Sequence, residues 1–280
     1  NERLTEIKQG KGQSETHPLL SPNDEFANYE LFQALLGLPA DVGRIDRITG
    51  SFARQALKDG IAMQDTRGYN PYKFGMAGGS DSHNSASPYR QDNFFGLHAD
   101  ADGTVERRFA GVLIGGTMDV RLENPGGLTG VWAEENTRAS IWDAMYRKET
   151  FGVSGPRIKV RLFGGWGYNK DIVKANDWVK QSYAGGVPMG ADLAPLPTGG
   201  KGTAPKFVVW AVKDPTSGNL DRIQVVKGWT QNGQSFEKVF DVPEREAGLR
   251  AAAKGLVRRK TREVRAVDRV SFDIAPGEVV

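Results

Sequence analysis

One stretch, Phe74-Gly-Met-Ala-Gly-Gly-Ser-Asp-Ser-His-Asn84, restricts the fold more than any other part of the sequence. It begins as a short apolar run, passes through Gly78 and Gly79, and ends with an acid and an imidazole two residues apart. Side chains at i and i+2 of an extended chain point to the same side, so Asp81 and His83 are predicted to face a common point. The glycines have no Cβ, so a ligand or another backbone can approach closely. The pattern predicts a strand that opens into a polar loop.

Two interpretations of Asp81 and His83 are open from the residues alone. A carboxylate oxygen and a ring nitrogen aimed at one point suit a divalent metal such as zinc, manganese or iron. Alternatively, the strand leads into a polar turn that Asp81 caps, and His83 forms a hydrogen bond at the surface. Because α/β enzymes usually place their chemistry at the C-terminal ends of strands, the position of the pair favours the metal site.

Two other places in the chain offer groups that could join this site. Ser14-Glu-Thr-His-Pro18 again places an acid and an imidazole at i and i+2, on a loop after a strand predicted near residues 4–8. Glu15 and His17 are predicted either to bind the metal directly or to hold its ligands in place. The alternative is that both are solvated in a turn. His98 follows the stretch Phe74–Asn84 by one loop. It could complete the metal site or be solvated.

Five motifs distributed along the chain carry a family resemblance. They are Gly12-Gln-Ser-Glu-Thr-His17, Asn70-Pro-Tyr-Lys-Phe-Gly-Met-Ala-Gly-Gly-Ser-Asp-Ser-His83, Asp92-Asn-Phe-Phe-Gly96, Glu134-Glu-Asn-Thr-Arg138 and Arg147-Lys-Glu-Thr-Phe-Gly-Val-Ser-Gly-Pro-Arg157. Together they resemble the DUF3604 family, a bacterial group related to the PHP (polymerase and histidinol phosphatase) metal-dependent hydrolases. The resemblance extends from about residue 4 to residue 242.

This resemblance implies a distorted, PHP-like β/α barrel in which the Ser-Asp-x-His motif, with Asp81 and His83, supplies the last metal ligands. The family's first motif, a His-x-His near the N-terminus, has no match here, and neither have its other upstream histidines. The chain is therefore expected to be part of a hydrolase for phosphoester or related bonds of a small-molecule substrate, with weak metal binding and little turnover alone. Relatives often carry export signals, so a periplasmic or secreted parent is an expectation, while the sequence itself indicates no compartment.

Regular patterns in the rest of the chain predict an α/β fold in three segments. Residues 1–163 are predicted to form the C-terminal part of the barrel, with a long insertion and with helices near residues 23–36, 48–58 and 137–148. Residues 164–242 are predicted to form a small antiparallel β unit, with strands at 206–213, 220–227 and 236–242 and an Asn-Gly hairpin turn at 231–234. Residues 243–280 are predicted to be a basic linker followed by a strand.

The last of these segments resembles a different class of protein. Residues 263–280 are similar to the opening of an ABC transporter ATPase, where such a strand leads directly into the phosphate loop. No Gly-x-x-x-x-Gly-Lys-Ser/Thr follows, so ATP binding is not expected. The chain opens on Asn1 and closes inside a predicted strand. These features predict a piece of a longer protein, or a chimera that joins two genes between Val242 and Ala266.

Composition excludes several functions. The chain has no cysteine, which excludes disulfides, thiolate-bound zinc and thiol catalysis. Its net charge of +3 is too small to argue for nucleic acid, and its longest apolar run is far shorter than the roughly 20 residues of a membrane span. Two alternatives to a hydrolase stay open. One is a non-catalytic binding or structural protein that uses Trp210 and Trp229, and the other is a chimeric product without a function of its own.

Overall fold

The computed structural model describes residues 2–32, 48–111, 113–114, 118–196, 198, 204–242 and 263–267. In these residues, thirteen short strands form five separate small sheets, with helices between them. The predicted α/β class is confirmed at this level. The described strands form no closed barrel, so the PHP-like barrel is not confirmed. None of the described helices has the length and apolar character needed to cross a membrane.

The chain divides into two compact units. Unit 1 comprises Asn1–Gly60, Asn70–Val131 and Thr150–Pro156, and unit 2 comprises Ile61–Tyr69, Trp132–Glu149 and Arg157–Val280. The strands are β1 (Leu4–Gln9), β2 (Gly12–Gln13), β3 (Gly75–Gly78), β4 (Leu113–Ile114), β5 (Met118–Asp119), β6 (Leu128–Val131), β7 (Thr150–Val153), β8 (Lys159–Gly165), β9 (Val187–Pro188), β10 (Lys206–Val212), β11 (Gln224–Gln231), β12 (Gln234–Asp241) and β13 (Glu263–Val267). The α-helices whose bounds are described are α1 (Ala53–Arg67), α2 (Val105–Ala110), α3 (Arg138–Tyr146) and α4 (Trp178–Gly185).

Unit 1 contains a three-stranded sheet in the order β2-β1-β3. β1 and β2 form an antiparallel hairpin in which Gln9 pairs with Gly12, so the turn consists of only two residues, Gly10 and Lys11. β1 and β3 run parallel, and their C-terminal ends therefore lie at the same edge of the sheet. A hydrogen bond from Gly10 N to Ser80 O, 3.2 Å long, ties the hairpin turn to the loop that follows β3.

A second pair of strands, β6 and β7, packs closely against β1 and β3. Thr129 Oγ1 donates a hydrogen bond of 2.6 Å to Gly78 O, and Thr150 Oγ1 donates one of 2.7 Å to Met76 O. The backbones approach so closely that a Cβ on Gly78 would lie 2.7 Å from Leu128 O. Glycine is therefore required at this strand end for steric reasons, just before the loop that carries Asp81.

Unit 2 is built on a four-stranded antiparallel sheet in the order β13-β10-β8-β9. Its main apolar cluster contains Phe163, Tyr168, Ile172, Val173, Trp178 and Val208, with Ala175, Val179 and Trp210 packed against it. The ring of Trp210 lies 5.9 Å from that of Trp132 and 5.9 Å from that of Trp178, measured between centroids. Trp210 is thus part of the packing of this unit.

The predicted hairpin at residues 231–234 is confirmed. β11 and β12 pair from Gln224 and Asp241 up to Gln231 and Gln234, which leaves Asn232 and Gly233 as the turn. Asn232 has φ 53° and Gly233 has φ 75°. Two successive positive φ values are the signature of the type I′ turn that Asn-Gly favours.

The helix predictions are correct in one case and partly wrong in two. α3 begins after Thr137, whose side chain accepts a hydrogen bond from Ser140 N, as predicted. α1 overlaps the predicted helix at 48–58 but continues through Gly60, where the prediction ended it. Residues 23–30 form turns rather than a helix, and residues 33–36 lie outside the described residues. The carboxylate of Asp24 accepts a hydrogen bond from Phe26 N and pairs with Arg54, and this local bonding competes with a helix.

The predicted domain boundaries stay predictions. The boundary at residue 163 falls inside β8, which pairs with β10 along its whole length. Beyond the boundary at residue 242, the backbone of β13 pairs with the other side of β10. Most of the ATPase-like segment, and most of the predicted seam between Val242 and Ala266, lie outside the described residues.

Replacing Gly78 by alanine is expected to lower the free energy of unfolding by about 1–3 kcal/mol, because the new Cβ meets a backbone carbonyl that cannot move away. Gly79→Ala is the matched control. Its Cβ would meet mainly the end of the flexible Glu6 side chain, so its effect should stay below about 1 kcal/mol. Urea unfolding of both variants measures the difference, and equal losses would contradict the steric explanation.

Candidate metal centre

Asp81 and His83 lie in the loop after β3, beyond the end of the strand. Asp81 has φ 49°, a left-handed conformation that is uncommon for a residue other than glycine. In this conformation Asp81 Oδ1 lies 3.5 Å from His83 Nε2. The loop is fixed to another segment by a hydrogen bond of 2.8 Å from His83 N to Leu97 O. The predicted pair is thus brought together, but by a turn in the loop and not by strand alternation.

Three more side chains converge beside this pair. His98, Asp102 and Glu123 each offer one possible ligand atom, and these atoms lie within 4.8 Å of one another. The imidazole rings of His83 and His98 stack with their centroids 4.3 Å apart. The cluster of His98, Asp102 and Glu123, hereafter the ligand cluster, therefore adjoins the predicted pair directly.

Asp102 is held in the ligand cluster by the backbone around it. Its carboxylate accepts hydrogen bonds of 2.7 Å from Leu97 N and 2.6 Å from His98 N. Asp102 N in turn donates to His98 O at 2.9 Å, so a single helical turn joins the two ligand residues. Gly96 has φ 91°, and a Cβ there would lie 2.6 Å from Asp102 Cγ. The carboxylate therefore occupies space that only a glycine at position 96 leaves open.

Glu123 enters the ligand cluster from a different part of the chain. It follows a 3₁₀ turn, Val120–Leu122, and the next residue, Asn124, donates from its N to Gly10 O at 2.9 Å. The Glu123 side chain is 0% exposed, and neither of its carboxyl oxygens has a hydrogen-bond partner among the described residues. His98 Nδ1 lies 3.4 Å from Glu123 Oε1, outside hydrogen-bond geometry, and is likewise buried without such a partner.

These surroundings shift the protonation of the ligand cluster. Burial raises the pKa of Glu123 to about 8, and the adjacent carboxylate of Asp102 adds to the shift. Burial also lowers the pKa of His98 below its ordinary 6.5, and the neighbouring His83 and Lys11 lower it further. Near neutral pH and without metal, His98 is therefore a neutral imidazole, which is the form that binds metal ions. Glu123 then holds a proton that a bound cation would displace.

Lys11 and Glu6 complete the surroundings of the site. Lys11, in the turn between β1 and β2, forms an ion pair with Asp81 Oδ2. Burial raises the pKa of Glu6, and the charge of Asp81 raises it further. The neighbourhood is rich in carboxylates, namely Glu6, Asp81, Asp102 and Glu123. Once Glu123 releases its proton, this concentration of carboxylates favours a cation.

Glu15 and His17 have contacts of their own. Glu15 forms an ion pair with Arg54. His17 Nδ1 accepts a hydrogen bond of 3.1 Å from Leu19 N, and its ring centroid lies 5.7 Å from that of Phe52. Within the described part of the chain, no hydrogen bond or ion pair joins either residue to the predicted pair or to the ligand cluster. Their predicted roles at a metal stay predictions.

Sequence reasoning singled out His98 but missed Asp102 and Glu123. Both lie between residues 89 and 130, where the sequence has little regular pattern. The sequence does contain a signal for Asp102. It follows His98 by four residues and comes shortly after Gly96, a spacing that is expected for a tight turn. For Glu123 we find no local signal, since its position depends on contacts with a hairpin more than a hundred residues earlier.

A family model described as "Protein of unknown function (DUF3604)" matches residues 1–274 of the chain. This match confirms the family resemblance seen in the motifs, and it continues past residue 242, where that resemblance was expected to end. No curated protein and no solved structure matches the chain. The relation to PHP hydrolases and the resemblance to ABC ATPases stay predictions.

The raised pKa of Glu123 predicts how stability depends on pH in the metal-free protein. The folded state holds a proton that the unfolded state releases, so the free energy of unfolding should fall as pH rises from about 4.5 to about 8. Glu123→Gln removes this titration and should flatten the profile. Urea unfolding with a chelator present measures both proteins across that range, with the exposed Glu134→Gln as the control. Parallel profiles for Glu123→Gln and the unaltered chain would show that Glu123 is not a buried acid.

Proposed function

The chain belongs to the DUF3604 family, and we propose that it is part of a metal-dependent hydrolase that cleaves a phosphoester or related bond in a small-molecule substrate. The observation that carries the proposal is that buried ligand atoms of His98 and Glu123, beside Asp102, have no hydrogen-bond partner among the described residues. A buried polar group without a partner costs roughly 1–3 kcal/mol, and more if charged, so folded proteins seldom keep one without a use for it. A bound cation would provide the missing partner.

The residues of the ligand cluster fit a divalent metal. His98 offers an imidazole nitrogen, and Asp102 and Glu123 offer carboxylate oxygens, a mixed set that suits zinc, manganese or iron. The ligand atoms of a four-coordinate metal lie about 3–4 Å apart. The ligand atoms of His98, Asp102 and Glu123 lie within 4.8 Å of one another, which is close to that spacing. In this proposal Asp81 and His83 are further ligands of the same centre, as the family resemblance implies.

In the proposed reaction, Asp102 and Glu123 would hold the metal on the buried side of the site, and the substrate would approach from the exposed side. When bound, a divalent metal supplies a Lewis acid and lowers the pKa of the water it binds. The backbone N–H groups of Leu97 and His98 hold Asp102 in one orientation, which favours a well-defined ligand geometry. Glu123 closes the site on its buried side. The side chains of Asp81 and His83 are 34% and 53% exposed, so a substrate can approach from their side.

The tryptophans that suggested a binding protein have partners within unit 2. Trp210 packs against the main apolar cluster of that unit. Trp229 stacks on Phe236 with ring centroids 5.5 Å apart, and the ammonium of Lys227 lies 5.0 Å from its ring centroid. These contacts favour a packing role. A non-catalytic binding protein therefore has less support than a hydrolase.

His98→Ala is expected to weaken Mn²⁺ or Zn²⁺ binding at least about a hundredfold, because loss of a direct ligand should cost no less than loss of the groups that orient one. Calorimetric titration of the metal into the purified chain measures the affinity. His17→Ala is the matched control and should bind normally, since it removes an imidazole of the same unit that contacts Leu19 and Phe52. An unaltered chain that binds neither metal would overturn the proposal.

Hydrolysis of bis(p-nitrophenyl) phosphate or p-nitrophenyl phosphate by the metal-loaded chain tests the reaction class. The chain alone is expected to turn over slowly, and this low activity should disappear with a chelator, return with added metal, and fall by at least about a hundredfold in Asp81→Asn and Glu123→Gln. Turnover that survives chelation, or that both variants retain, would rule out a reaction at this centre.

A further inference from the structure

Lys11 is placed next to Asp81 by a turn with little freedom to move. It is the second residue of the two-residue turn between β1 and β2, and its N donates a hydrogen bond of 3.0 Å to Gln9 Oε1. The next residue, Gly12, has φ 100°, and a Cβ there would clash with the carbonyl oxygen of Glu30. The Lys11 side chain is 21% exposed and reaches Asp81 Oδ2.

This ion pair uses an oxygen of a residue that is predicted to bind the metal. The other oxygen of Asp81 faces His83. The Lys11 ammonium now neutralises the charge of Asp81. A metal ion bound to Asp81 would bring a second positive charge close to this ammonium, and the two cations would repel each other. Lys11 and a metal ion therefore compete for Asp81.

The ammonium of Lys11 also acts on the rest of the site. Its charge lowers the pKa of His98 and opposes the rise in the pKa of Glu6 and Glu123. These effects agree with the position of the ammonium in its ion pair with Asp81, whose other oxygen faces His83.

We propose that Lys11 has two alternative partners: Asp81 in the metal-free protein, and an oxyanion of the substrate, a phosphoryl or carboxylate group, once a metal ion is bound. This inference rests on the proposed function. An ammonium offers three N–H donors and a full charge, and it is a common binding group for phosphate. Lys11 thus weakens metal binding in the metal-free protein. Once the metal is bound, the same lysine binds the substrate.

A purely structural role for the ion pair has less support. Asp81 is 34% exposed, and ion pairs that water reaches contribute little to stability. The hairpin is fixed by its backbone bonds and by Gly12, so it does not depend on the Lys11 side chain. Variants at Lys11 should therefore fold, which makes the inference testable.

Lys11→Gln is expected to change two affinities in opposite directions. Mn²⁺ should bind the metal-free variant several-fold more tightly, because the competing ammonium is gone. Inorganic phosphate should bind the Mn²⁺-loaded variant about tenfold more weakly, because a charge-assisted hydrogen bond is lost. Lys11→Arg should retain most of the phosphate affinity. Calorimetry measures each step, with acetate as a second probe to separate phosphoryl from carboxylate preference.

The exposed Lys73→Gln, in the same unit, is the control for net charge and should change neither affinity. If Lys11→Gln weakens both affinities, the lysine has only a structural role and the inference is wrong. If both affinities stay the same while the unaltered chain binds Mn²⁺, the inference about Lys11 fails alone and the metal centre stands. If the unaltered chain does not bind Mn²⁺, the proposed function fails and this inference fails with it.

Discussion

Glu123 and Asp102 bring two carboxyl groups together in a space that water hardly reaches, and the rest of the site depends on how their charge is compensated. Asp102 has two backbone N–H donors, whereas the oxygens of Glu123 have no hydrogen-bond partner among the described residues. Two adjacent buried carboxyl groups cannot both be ionised unless a cation compensates their charge. Otherwise one of them keeps its proton. Without metal a proton fills this need: burial raises the pKa of Glu123 to about 8, and the neighbouring Asp102 adds to the rise. A divalent cation would instead compensate the charge of both carboxylates and supply a Lewis acid for hydrolysis.

Short strands and tight turns allow unit 1 to build this arrangement. β1 and β3 run parallel, so the turn with Lys11 and the loop with Asp81 leave the sheet at one edge. The same loop is tied to the segment that carries His98 by the bond from His83 N to Leu97 O. Glycines such as Gly96 stand where the backbone leaves no space for a Cβ. The high glycine content of the chain thus has a structural purpose at the site.

Local patterns in the sequence predicted features that local physics determines. The N-cap at Thr137 and the Asn-Gly turn after Gln231 depend on residues a few positions apart. Asp81 and His83 also lie close together, but in a turn of the loop and not through the strand alternation from which their proximity was predicted. The predicted helix at 23–36 failed in its described part because Asp24 bonds to its own turn and to Arg54, some thirty residues away. Glu123 was missed for the same reason, since contacts distant in sequence bring it to the site.

Anomalous diffraction from a crystal soaked in Mn²⁺ tests the central claim most directly, because it locates the metal without assuming any activity. The account predicts an anomalous peak within about 2.0–2.2 Å of ligand atoms of His98, Asp102 and Glu123, with Lys11 moved away from Asp81. A peak at Glu15 and His17, or no peak in unit 1 at all, would contradict the claim that the ligand cluster is a metal centre.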